Sequence, residues 1–148
     1  MFRIVVDTSV IVSALRSREG AGNALLRLIA LGRVVPLATP ALFLEYEEVL
    51  KRPEQRLAHG LTLEDLDRFL AGLASACEPV ETRFQWRPQL ADADDELVLE
   101  AAVNGRADAI VTYNVKDFAI GATRFGIRAL RPGDWMKEMK LWPEHPTP

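Results

Sequence analysis

Cysteine is nearly absent from this sequence. Cys77 is the single copy, so no intrachain disulfide can form. It falls in the helical run Phe69, Leu70, Leu73, Ala74, where it reads as a small apolar core residue. Histidine is scarce too: His59 and His145 both fall in expected loops, which argues against a zinc site. No apolar stretch reaches the length of a membrane span. The start carries no basic segment followed by a long apolar one, so no signal peptide is expected, and a cytoplasmic protein without a membrane partner is. A basic excess is also missing, since the formal net charge is −3. Charge alone therefore does not advertise a phosphate-binding surface. A site built from clustered carboxylates would itself pull the total negative. The positive residues are mostly arginine, suited to bidentate phosphate contacts, but they are scattered. There is no internal repeat and no low-complexity segment.

Hydrophobic residues make up 49% of the 148, enough for a proper core in one domain over residues 1–141. Residues 142–148 carry three prolines and read as a frayed tail. Strand patterns alternate with helical ones. Ile4, Val5 and Val6 form a short β-branched run. Helical stripes follow over Val10–Leu15 and Ala24–Leu31, the second closed by Gly32. Val34–Ala38 reads as a strand, with Pro36 suggesting an edge or strand-end position. Thr39 and Pro40 open a helix that runs from Ala41 to Arg52 and stops at Pro53. Pro53–Gly60 has a short helical possibility, and Thr62 with Asp65 resembles a capping box. Glu78–Phe84 reads as a short strand and Gln85–Ala91 as a connection. Leu97, Val98, Ala101 and Ala102 stripe a further helix, ended by Asn104 and Gly105. Ala109–Val111 is a strand, Tyr113–Phe118 a loop, Ile127–Leu130 a last strand and Pro132–Met139 a last helix. The alternation predicts an α/β fold: a mostly parallel twisted sheet with helices on both faces.

The chemistry-bearing residues are carboxylates at element ends. Asp7 follows the first strand directly, at the carboxyl edge of the sheet where open α/β folds place their crevices. Its bland alternative is that Asp7, Thr8 or Ser9 simply caps the next helix. In the helix from Ala41, the apolar face is Leu42, Phe43, Tyr46, Val49 and Leu50. Glu45 and Glu47 flank it, each roughly 100° from its centre, while Glu48 lies opposite. Periodicity nominates Glu45 or Glu47 and does not choose. Asp92, Asp94 and Asp95 crowd one helix start, where one acid is needed as a cap and the dipole favours the rest. Asp95 lies along the buried side, three residues before Val98. Asp117 follows a strand ending in Thr112, and its bland reading is a loop acid in an Asx-turn. Neighbouring carboxylates raise one another's pKa and repel. A cation relieves this, and all-oxygen ligands suit Mg²⁺ or Mn²⁺.

IVVDTSVIVSAL, LFLEYEEVL, DADDELVLEAA and ADAIVTYNVKDF resemble, in order and spacing, the four motifs of the PIN-domain family. The resemblance covers Met1 to Arg131, and VTYNVKDF is its most specific part. It implies an α/β nuclease that cuts single-stranded RNA with Mg²⁺ or Mn²⁺, leaving a 5′-phosphate and a 3′-hydroxyl. Small solitary members, VapC-like, are often toxins paired with a small antitoxin protein. Carried over by motif, the catalytic acids are Asp7, Glu45, Asp95 and Asp117. Asp7, Asp95 and Asp117 would hold metal and Glu45 would act on water. Asp94 is a reserve for Asp95, and Thr8, Ser9 and Thr112 would position water or phosphate. Asn114 stands where many relatives carry an acid, so either Asn114 or Asp117 completes the site.

Two rival readings follow from the same residues. One is a PIN fold that binds RNA or a protein without cutting. The other is a receiver-type signalling domain, for which Thr112 and Lys116 stand in suitable places. Against the receiver, Asp7 is a lone acid and no aspartate ends the second strand. Near the end, Trp135, Met136, Met139, Leu141 and Trp142 either pack on the core or offer a surface to a second copy or an antitoxin.

Overall fold

A computed structural model describes residues 2–85, 87 and 89–142; the expected tail, beyond Trp142, lies outside the described residues. Among these, five strands form one sheet in the order β3-β2-β1-β4-β5. They are β1 (Phe2–Val6), β2 (Val34–Ala38), β3 (Glu78–Pro79), β4 (Ala109–Val111) and β5 (Arg128–Leu130). Every pairing is parallel, so crossover helices join the strands, and one more helix follows β5. The helices are α1 (Thr8–Arg16), α2 (Ala21–Ala30), α3 (Pro40–Leu50), α4 (Pro53–His59), α5 (Leu63–Ala76), α6 (Ala93–Gly105), α7 (Val115–Arg124) and α8 (Pro132–Glu138). This is the α/β architecture that the alternation predicts.

The central strand is β1, and Ile4, Val5 and Val6 are fully buried on it. It pairs with β2 on one side and β4 on the other. The chain leaves β1 towards β2 and β3, then returns to start the other half at β4. The order therefore reverses between β1 and β4, the switch point at which open α/β sheets form a crevice.

Four local expectations need correction. β2 is not an edge strand, but its pairing with β3 begins only at Leu37, so Pro36 precedes that ladder. The strand expected over Glu78–Phe84 stops at Pro79. Beyond it, the Asn104 side chain does the pairing: its Oδ1 accepts from Arg83 N and Phe84 N, both at 2.9 Å, and its Nδ2 donates to the Phe84 carbonyl at 3.0 Å. Tyr113–Phe118 is not all loop, because α7 starts at Val115 and carries Asp117 in its first turn. Its buried face is Phe118, Gly121 and Ala122, and one large apolar side chain beside two small residues does not make a helical apolar stripe. A Cβ on Gly121 would stand 2.6 Å from Leu90 Cδ2, so a larger residue there would have to displace the end of that side chain. On α6, finally, Leu97 is only half-buried, while Leu99 is buried beside Val98, Ala101 and Ala102.

The first strand and the last helix meet. Trp135 and Met136 of α8 are buried, and Trp135 packs edge-on against Phe2 with centroids 5.7 Å apart. Of the apolar residues there, these two serve the protein's own core; Met139, Leu141 and Trp142 are half-buried against it.

Candidate metal centre

Asp7 is buried at the carboxyl end of β1, and its N–H donates to the Val111 carbonyl of β4 at 2.9 Å. The residue occupies the N-cap position of α1, but its side chain makes no capping hydrogen bond. Its Oδ2 instead accepts the Ser9 hydroxyl at 2.6 Å and the Thr112 hydroxyl at 2.8 Å. The other oxygen, Oδ1, accepts no hydrogen bond from the described residues. Among the described residues no buried side-chain polar atom lacks a partner, so Oδ1 faces solvent. The carboxylate is thus locked by one oxygen and presents the other outward.

Thr112, fully buried, ties this arrangement to β4: its N–H donates to the Leu130 carbonyl of β5 at 2.8 Å. Its hydroxyl oxygen also accepts from Asn114 N at 2.9 Å, and Ser9 Oγ accepts from Tyr113 N at 3.3 Å. The turn after β4 is therefore stitched to the turn after β1 by hydroxyls.

Helix α3 brings the next acid. Thr39 caps it, its hydroxyl accepting from Leu42 N at 3.1 Å, with Pro40 in the first turn. Leu42, Tyr46 and Leu50 are its buried face, and the Tyr46 hydroxyl donates to the Val6 carbonyl at the end of β1. That bond fixes the helix one residue from Asp7. Glu45, next to Tyr46, is half-buried and accepts the Thr8 hydroxyl on Oε2 at 2.9 Å. Glu47, which periodicity could not separate from it, pairs with Lys51 at 3.3 Å. Glu48 is exposed and pairs with Arg52 at 3.2 Å.

At the start of α6, Asp92 is the cap, its Oδ1 accepting from Asp94 N at 2.9 Å. Asp94 is exposed and Asp95 half-buried. Asp95 is pushed up to about 7, by burial first and then by the charges of Asp7, Asp92, Asp117 and Glu45. Glu45 is also raised, by burial first, with Asp94, Asp7 and Asp92 adding to the shift and the Thr8 hydroxyl opposing it. Asp117 and Asn114 are both exposed, and Asp117 supplies a charge that Asp95 senses. The six acids therefore share one field. They are not drawn into one coordination sphere: among the described residues no three His, Cys, Asp or Glu side chains stand close enough to hold a metal ion. The donor set itself, all carboxylate and hydroxyl oxygen with uncompensated charge, fits a hard divalent cation such as Mg²⁺ or Mn²⁺.

Two acids on α6 escaped the sequence reading. Glu96 and Glu100 are both buried. Glu96 accepts the backbone N–H groups of Gln89 and Leu90, and Glu100 accepts the Arg87 guanidinium, with Nη2 at 3.0 Å. They hold the connection that delivers Asp92 to the site. Their i, i+4 spacing beside the apolar stripe, with Arg87 just upstream, is the signal that marks them.

The raised pKa of Asp95 has a consequence for stability. A group whose folded pKa exceeds its unfolded value stabilises the fold below the unfolded pKa, and that contribution is lost as pH rises through the folded one. For Asp95 the window runs from the ordinary aspartate range up to about 7. In chelator, Asp95→Asn should therefore gain melting temperature relative to wild type as pH is raised across that window. Near the bottom of the window the difference should be smallest. A difference independent of pH would mean that neither burial nor the other acids raise Asp95.

A family model described as a PIN domain matches residues 3–116. No curated protein matches the chain.

Proposed function

Because the chain belongs to the PIN-domain family, whose members are typically nucleases, we propose that it is a metal-dependent endoribonuclease acting on single-stranded RNA. The observation that carries this reading is the state of Asp7. It sits at the switch point, makes no capping bond, is held by Ser9 and Thr112, and turns one oxygen outward among other acids. Asp7 and Asp95 would hold the cation, with Asp117 rather than the uncharged Asn114 as the third acid. When bound, a divalent cation lowers the pKa of water and offsets charge on the phosphoryl oxygens. Glu45, oriented by Thr8 and raised by burial, would accept the proton of the attacking water. Attack in line with the leaving oxygen would give a 5′-phosphate and a 3′-hydroxyl. We further propose the toxin role, with a small antitoxin as protein partner and a homodimer as the working assembly. Met139, Leu141 and Trp142 are the half-buried apolar residues near the end that such an assembly could use.

The reading without cleavage is favoured by one observation, the lack of three acids gathered for a metal ion among the described residues. Melting separates the two. A ligand at a hundredfold excess over its Kd stabilises by about 2.7 kcal/mol, or roughly 5–10 °C for a domain of this size. Mg²⁺ and Mn²⁺ should each raise the melting temperature of wild type by about that amount and Asp7→Asn by much less. Labelled single-stranded RNA should be cut only when the metal is present. Absence of both the shift and the cleavage would overturn the enzyme reading.

A further inference from the structure

One face of α1 carries two i, i+4 rows that begin at the acids and run away from them. Thr8, Val12 and Arg16 form one row; Ser9 and Ser13 form the other, continued by Ser17 just past the helix end. With Val49 and Tyr113 they line an open groove of about 440 Å³. That lies within the roughly 300–1,000 Å³ of small-molecule sites. From Thr8 to Arg16 the helix rises about 12 Å, so the groove reaches well past the acids. Arg16, at its far end, is exposed and donates from Nη2 to Gln55 Oε1, a neutral partner, at 2.8 Å. Among the described residues it makes no salt bridge, whereas Arg3, Arg52, Arg87 and Arg128 are each paired with a glutamate. Tyr113 is half-buried at the near end, with its backbone fixed on Ser9.

An uncancelled guanidinium, an aromatic ring and a row of hydroxyls are parts with which proteins hold a single strand. The cation takes phosphate, the ring stacks a base, and neither needs a particular sequence. We propose that this groove is the subsite for the RNA nucleotide next to the scissile phosphate. Tyr113 stacks its base and Arg16 holds the phosphate beyond it. The proposal rests on the RNA-cleaving reading and assigns that site's strand-holding residues. Neither residue belongs to the catalytic acids, so both would act on binding.

The test is fluorescence anisotropy of a labelled single-stranded RNA oligonucleotide with Mg²⁺ present, on the Glu45→Gln background so that the strand stays intact. Tyr113→Ala and Arg16→Ala should each weaken binding about tenfold, in keeping with the loss of one stacked base or one phosphate contact. Tyr113→Phe keeps the ring and should bind within about twofold of Tyr113. In otherwise wild-type protein, Tyr113→Ala and Arg16→Ala should raise KM and leave kcat close to unchanged. Unaltered affinity in both Arg16→Ala and Tyr113→Ala overturns the subsite. So does an equal loss in Tyr113→Phe and Tyr113→Ala, which would assign the effect to the hydroxyl. Arg16 is exposed, so its variant reports even if Tyr113→Ala does not fold. Cleavage that persists while binding ignores both variants refutes the subsite and spares the nuclease. Binding that depends on both residues without any cleavage in wild type does the reverse.

Discussion

Asp7→Asn should cut single-stranded RNA about a thousandfold more slowly than wild type, or not at all. A divalent cation contributes several kcal/mol of charge stabilisation in such a reaction, and each 1.36 kcal/mol is tenfold in rate. The substitution keeps the shape and removes the charge proposed to hold the cation. The new side chain would still accept the Ser9 and Thr112 hydroxyls through its amide oxygen, so the hydrogen bonds of 2.6 and 2.8 Å that lock Asp7 survive. The fold should therefore remain, as circular dichroism and the melting curve would show. Without metal, the Asp7→Asn protein should melt no lower than wild type, because one of the mutually repelling acids has been neutralised. An Asp7→Asn protein that cuts at the wild-type rate would mean that the activity comes from another site or a contaminant.

Glu45→Gln should lower kcat by about a hundredfold to ten-thousandfold, the range expected for losing a positioned general base. It should leave more of the metal-induced rise in melting temperature than Asp7→Asn does, because the proposed work of Glu45 is on water. The internal control lies three residues on. Glu48→Gln touches an exposed carboxylate paired with Arg52 on the outer side of the same helix, where surface pairs contribute about 0–1 kcal/mol. Its cleavage rate should match wild type. Equal losses at Glu45 and Glu48 would mean that α3 is being disturbed as a whole, and no specific role for Glu45 would remain.

How far the fold could be read in advance depended on the size of the buried side chains. β1 and β4 were legible because Ile4, Val5, Val6, Ile110 and Val111 are β-branched and fully buried. Helix α7 was not, because apart from Phe118 its inner face is built on Gly121 and Ala122, which carry almost no hydrophobic signal. The expected strand over Glu78–Phe84 was too long for a different reason. A single distant side chain, Asn104, satisfies the backbone there, and no local pattern announces it. In the candidate site, the positions of the acids at element ends were legible and their relations were not. Glu45 and Glu47 are equivalent by periodicity. What distinguishes them is the Tyr46 hydroxyl bonded to the Val6 carbonyl and the Thr8 hydroxyl on Glu45, both contacts between segments some 40 residues apart.

The hydrogen bond from the Thr112 hydroxyl to Asp7 joins residues 105 positions apart. Its two strands pair directly, Val6 opposite Val111, although most of the chain lies between them. Contacts of such sequence separation form late, since the intervening loop must first be closed. During synthesis, which adds about 5–20 residues per second, Asp7 emerges several seconds before the residue that locks it. A chain still on the ribosome has its first acid exposed and the strand that should flank it unmade. Any chemistry at Asp7 therefore waits until the chain has been made past Thr112.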